Sequence, residues 1–268
     1  MRLVILGLGY TAARFADAAR AAGAVVTAVR SRPGPDTLTL DDPALPAAIG
    51  AATHILSSVP PDRDGHDPVL AMHGARLAGC DARWVGYLSS TGVYGDARGA
   101  WVDEASDVNG RRSGRNAADL AWGALHPQVR VFRLPGIYGP GRSALDRLRH
   151  GPVARIELPG HVFSRIHVDD IVGAVMASTV RGPAGIYNLA DDEPAAGEAV
   201  TAHAARLLGM EPAPLQSLGE AELSPMGRAF YGECRRVANG KMKRALGHQL
   251  RYPDYRTGLA ACLQEMVS

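Results

Sequence analysis

Short runs of apolar residues recur along the chain at 2–6 (RLVIL), 24–29 (AVVTAV), 53–58 (THILSS), 83–89 (RWVGYLS) and 129–134 (VRVFRL). Runs of this length, rich in β-branched residues and without strict polar alternation, predict strands covered on both faces, as in a parallel sheet. Two further strands are expected at 163–168 (FSRIHV) and 185–190 (GIYNLA). Alanine-rich stretches between the runs predict helices over about 11–22, 67–79, 114–126 and 169–180. Alternating strands and helices define an α/β fold, a doubly wound parallel sheet. After residue 135 the texture changes: PGIYGPGRS and DDEPAAGE are turn-rich, and the chain from about 191 is helical with proline breaks. The expected organisation is a core over 1–134, completed by about 163–190, with a smaller C-terminal lobe from 135–162 and 191–268.

The first run leads directly into candidate chemistry. In LVILGLGYTAARFADAAR, Gly7, Gly9 and Ala12 fall between the first strand and the first helix, the G-x-G-x-x-A spacing. The first glycine permits a tight turn, the second lets backbone approach a pyrophosphate, and the small third residue lets helix and strand pack closely. The helix start, with Tyr10 and Thr11, offers N–H groups and a partial positive charge to the phosphates. The sheet is therefore read as a Rossmann-type dinucleotide-binding core, the later lobe as substrate-binding. An acid about 20 residues beyond the glycines favours NAD by binding the ribose 2′-hydroxyl. Here Arg30, Ser31 and Arg32 end the second strand, and a guanidinium matches a 2′-phosphate. NADP is the expected cofactor, ahead of NAD.

Composition narrows the partners. Hydrophobic residues at 46% and charged residues at 21% suit a globular protein, and a net charge of +2 gives no case for nucleic acid. The one basic cluster, Arg235, Arg236, Lys241, Lys243 and Arg244, is read as a solvated face. Cys80, Cys234 and Cys262 are far apart, which argues against a metal site or disulfides and suits a reducing cytoplasm. No run is long enough to cross a membrane, and the opening MRLVILGLGY is too short for a signal peptide. The expected partner is a small molecule.

Five segments, GLGYTAA (7–13), YLSSTGVYGD (87–96), FRLPGIYGPG (132–141), SRIHVDDIV (164–172) and IYNLADDEP (186–194), occur in the order found in one family. With ALGHQLRYPDYRTGL (245–259), they make the chain resemble the extended short-chain dehydrogenases/reductases, the NAD(P)-dependent epimerase/dehydratase family, in its atypical branch. The resemblance implies that Ser57, Ser58, Val59 and Pro60 line the adenosine and pyrophosphate, with Ser89 also on the cofactor side. It implies that Leu134, Pro135 and Ile137 pass beside the nicotinamide, and that Ser90 binds a substrate oxygen, with Thr91 beside it. Tyr138 is expected at the lobe interface near substrate; His167 is a weaker substrate-side candidate, and Asp169 or Asp170 an expected helix cap.

Active members carry a tyrosine and, four residues later, a lysine. The same alignment places Arg111 and Arg115 there, in NGRRSGRNAADLAW (109–122). Arg115 can still supply positive charge to the cofactor ribose. Arg111 cannot carry a proton near neutral pH, but can bind a substrate carboxylate or phosphate. A proton carrier must come from elsewhere: Tyr94 first, then His167, Tyr87, Asp103 and Glu104. The expected function is an NADP-dependent oxidoreductase or epimerase acting on a small hydroxyl-bearing compound, with nucleotide-linked ones among the candidates. The alternative is a non-catalytic NADP(H)-binding sensor or scaffold. The small and apolar residues of 67–79 and 116–125 are compatible with a homodimer.

Overall fold

The computed structural model describes residues 1–32, 34–223 and 225–267. In chain order its strands are β1 (Arg2–Leu6), β2 (Val25–Val29), β3 (Thr37–Leu38), β4 (His54–Ser57), β5 (Trp84–Ser90), β6 (Trp101–Val102) and β7 (Val129–Leu134). They continue as β8 (Gly136–Tyr138), β9 (Arg155–Ile156), β10 (Arg165–His167), β11 (Gly185–Asn188), β12 (Leu215–Gln216) and β13 (Arg236–Val237). The helices are α1 (Tyr10–Ala21), α2 (Leu45–Ala51), α3 (Pro68–Ala78), α4 (Ser113–Leu125) and α5 (Ala144–His150). The later ones are α6 (Val168–Ser178), α7 (Gly197–Leu207), α8 (Pro225–Phe230), α9 (Gly240–Leu246) and α10 (Tyr255–Val267).

Seven strands form one sheet in the order β11-β7-β5-β4-β1-β2-β3, with every neighbouring pair parallel. The chain runs from β1 through β2 and β3 to one edge, then from β4 through β5 and β7 to the other. Its direction reverses between β1 and β4, and ligands of doubly wound sheets bind at the C-terminal strand ends beside such a reversal. The apolar runs have a direct physical cause. Leu3 and Ile5 join Phe15 and Ala16 of α1 and Ile171 of α6 on one face. Val4 and Leu6 join Ile49 of α2, Leu77 of α3 and Trp122 of α4 on the other. The two-residue period of a strand thus feeds two separate cores.

The helices expected from periodicity are α1, α3, α4 and α6. Asp67 starts α3 by accepting from the N–H groups of Val69 (2.9 Å) and Leu70 (3.0 Å). Its other oxygen accepts from the Trp122 indole at 2.7 Å, which binds α3 to α4. The run at 163–168 does not join the main sheet. β10 pairs with β8, which leaves the sheet after Pro135, a residue with no N–H to give a central ladder. The cap of α6 also differs from expectation. His167 is the N-cap, its Nδ1 accepting from the Asp169 N–H at 3.2 Å. Asp170 is buried and accepts from the N–H groups of Arg251 (2.7 Å) and Tyr252 (3.0 Å), holding the C-terminal segment on α6. A third core joins α5, α7 and α10 through Leu145, Val200, Ala204 and Leu259, with Tyr138 against it.

Candidate functional site

The turn after β1 has the form its glycines predict. Gly7 has φ +90°, and a Cβ there would stand 2.8 Å from Cγ2 of Val59. Ser58 closes the turn from β4: its N–H donates to the Leu6 carbonyl at 2.8 Å and its hydroxyl donates to the Gly7 carbonyl. Gly9 is the N-cap of α1 and no side chain caps that helix. A Cβ on Gly9 would meet nothing within 4 Å. Open space before uncapped N–H groups is the cradle a pyrophosphate fills, so these residues fit a dinucleotide. Ala12 is buried at 1% exposure, as close helix–strand packing requires. Thr11 and Ser57 are also buried, and the Ser57 hydroxyl has no hydrogen-bond partner. The Tyr10 side chain turns away, its hydroxyl donating to the Pro140 carbonyl at 3.0 Å. At the end of β2, Arg30, Ser31 and Arg32 are exposed, as is Pro60 after β4.

Beyond the ends of β5 and β7 lies a cavity of about 250 Å³. It brings together Ser90, Thr91, Arg111, Arg115 and Pro135, which sequence reasoning selected. It also contains Arg112, Glu233 and Arg235, which sequence reasoning did not select. Arg235 was assigned to a solvated face. Instead its Nη1 donates to the Gly95 carbonyl at 2.6 Å and to Glu233 Oε2 at 2.9 Å. Arg236 is also turned inward, donating to the Gly99 carbonyl, because short β13 pairs with β6 and draws this segment over the cavity. Glu233 Oε1 meets Arg111 Nε at 3.1 Å. Ser90 Oγ accepts from the Gly92 N–H at 3.1 Å.

Several expected site residues lie elsewhere. Tyr94 is 4% exposed, and its hydroxyl donates to Asn188 Oδ1 at 2.7 Å. Its ring lies under the Arg133 guanidinium, 4.8 Å from the carbon to the ring centroid, and burial raises the phenol pKa. Tyr94 therefore does not reach the cavity as a proton carrier. Ser89 faces inward, donating to Asp119 Oδ2 at 2.6 Å, and is taken up by a buried pair. In that pair Asp119 accepts from Arg133 Nη2 at 2.6 Å and Nε at 3.1 Å, both side chains being 1% exposed. Tyr87 is buried and stacked on Trp122 at 5.0 Å, and burial raises its pKa. His167 is buried against Tyr252 and Cys262, and burial lowers its pKa. Glu104 accepts from the Asn188 N–H at 2.9 Å, and Asp103 caps a turn at Ala105. Leu134 is buried, while Ile137 and Tyr138 face a second cavity of about 720 Å³ lined also by α5, α7 and α10. The Tyr138 hydroxyl donates to the Asp254 carbonyl at 3.3 Å.

The fold is shared with solved structures described as epimerases and dehydratases, all of them under 25% identical to this chain. Human epimerase family protein SDR39U1, solved with NADPH, superposes with a TM-score of 0.78 at 19% identity, covering 98% of this chain and 99% of that one. A functionally unknown conserved protein from Silicibacter pomeroyi DSS is 39% identical, with a TM-score of 0.87 over 98% of both chains, and this chain belongs to the same family. Escherichia coli K12 protein YeeZ is 33% identical over 178 residues, 63% of this chain. That match spans only 58% of the length of YeeZ. No protein-family model matches the chain. Among the described residues, no helix is long and apolar enough to cross a membrane.

Proposed function

We propose that the protein binds NADP(H) and is an oxidoreductase acting on a small hydroxyl- or carbonyl-bearing compound in the cavity beside Ser90. One observation carries this reading: the open cradle at Gly9 and the cavity at Ser90 share the C-terminal edge of one parallel sheet. The bound nicotinamide supplies hydride transfer. Gly7 and Gly9 shape the turn, the uncapped N–H groups at the start of α1 hold the pyrophosphate, and Ser57 and Ser58 flank it. Arg30 and Arg32 bind the 2′-phosphate; no acid stands at 30–32 to favour NAD. Ser90 accepts one N–H from Gly92, which leaves its own O–H to donate to a substrate oxygen. That bond strengthens as charge develops on the oxygen. Arg115 supplies positive charge on the ribose side. The face of α3 and α4 bearing exposed Met72 and Leu120 is assigned to a homodimer, which sedimentation checks.

Calorimetry with NADP⁺, NADPH and NAD⁺ tests the cofactor. The double change Arg30→Ala and Arg32→Ala is expected to weaken NADP⁺ by about 10–100-fold, with NAD⁺ little affected, from loss of charge-assisted hydrogen bonds. No heat with any of the three cofactors at millimolar concentration would sink the reading. One observation favours a second reading, a sensor without turnover: Tyr87 and Tyr94 are packed inside and Tyr138 faces the other cavity. Ser90→Ala separates the two. It slows an oxidoreductase at constant cofactor affinity and leaves a sensor unchanged.

A further inference from the structure

We infer that Glu233 is an internal stand-in for a substrate carboxylate, so that the compound taken beside Ser90 is a small carboxylate-bearing one that displaces Glu233 from Arg111 and Arg235. This rests on the cavity being the substrate site.

The carboxylate of Glu233 spans two guanidinium groups, one on each oxygen: Arg111 Nε at 3.1 Å on Oε1 and Arg235 Nη1 at 2.9 Å on Oε2. The two arginines come from distant segments, one just before α4 and one just before β13. The clamp therefore exists only in the assembled fold. Four guanidinium groups, of Arg111, Arg112, Arg115 and Arg235, line the cavity beside this single carboxylate. A pocket with that imbalance draws in anions and focuses positive potential on whatever occupies it.

The clamp outlasts the departure of Glu233. Arg235 is also anchored to the Gly95 carbonyl at 2.6 Å, so its guanidinium stays in place. Arg111 is 45% exposed along its side chain and can follow an incoming group. Glu233 lies in irregular chain between α8 and β13; the backbone of the next residue, Cys234, is held by Ala97, Gly99 and Asp96, so the displacement is a swing of the Glu233 side chain alone. A neutral substrate would have to leave Glu233 seated, and a carboxylate replaces it like for like. The cavity of about 250 Å³ suits a compact molecule. It meets the second cavity at Gly136, Phe163, Ser164 and Phe230, giving room for a longer tail.

The test is titration of the full chain, with and without saturating NADPH, by malonate, inorganic phosphate and neutral malonamide. Malonate is expected to bind and malonamide not. Glu233→Gln is expected to tighten malonate by about tenfold, and Arg111→Gln to weaken it by about tenfold, from one charge-assisted hydrogen bond gained or lost. NADPH affinity is measured on each variant and is expected to stay constant. Glu233→Gln leaving malonate unchanged or weaker would show a purely structural triad and overturn the proposal. Malonamide binding as well as malonate would do the same, and phosphate outcompeting malonate would overturn the carboxylate assignment. Should Glu233→Gln disturb folding, the exposed Arg111 variant still decides. If NADPH fails to bind, the cofactor reading falls while titration of the free protein still judges the anion site.

Discussion

The two ends of the cleft are built from different materials. At the proposed pyrophosphate end the chain offers backbone: a turn of small residues and an uncapped helix start. At the proposed substrate end it offers four arginines and a carboxylate gathered from segments more than a hundred residues apart. Backbone donors bind any pyrophosphate and depend on a few consecutive residues. Side-chain forks select a particular anion and depend on long-range packing to bring them together. The first kind of site tolerates divergence elsewhere, and the second can be retuned without disturbing the first.

The contrast can be broken most severely beneath the substrate end. Asp119→Ala leaves the buried guanidinium of Arg133 without its partner and should destabilise the fold by about 3–5 kcal/mol, read from denaturant melts. At the phosphate end the opposite separation is expected. Gly9→Asp adds a side chain where a Cβ meets nothing, so the melting curve should barely move. Its carboxylate would face the pyrophosphate, and cofactor affinity should fall by about a hundredfold or more in calorimetry. A cofactor affinity within a few-fold of the parent would mean that the dinucleotide does not lie across this turn.

The effect that is smallest per unit of its variable sharpens the comparison through pH. Burial pushes the Asp191 carboxyl, beside Arg165, up to about 8 from 3.8. The folded state then holds a proton that the unfolded state has released, so stability falls as pH rises through this window. Relative to Asp191→Asn, the parent should lose up to about 1.4 kcal/mol for each pH unit inside it. Parallel stability–pH curves for the two proteins would rule this out.

The glycine turn was legible because its determinants are local. Gly7, Gly9 and Ala12 act through their own backbone and size, and the apolar runs declare a sheet covered on both sides. The substrate end was legible only in part. Arg111 and Arg115 stood out by their spacing, but Tyr94 was misread, because nothing near it in the chain shows that Asn188 and Arg133 enclose it. Glu233 and Arg235 were missed for the same reason. Their segment reads as a charged surface stretch until β13 pairs with β6. The available signal was an acid among basic residues between two turn-rich segments, which marks no site by itself. His167 likewise looked available for chemistry, and the start of α6 uses it as a cap.

By itself the sequence determined the doubly wound sheet, its glycine turn and the charge at the end of β2, because strand period, glycine conformation and residue type are properties of neighbouring positions. Only the tertiary structure decided which charged groups face the cavity and which are sealed in the core. Burial and pairing depend on residues more than a hundred positions apart, as between Arg111 and Glu233. A one-dimensional pattern carries no measure of that distance.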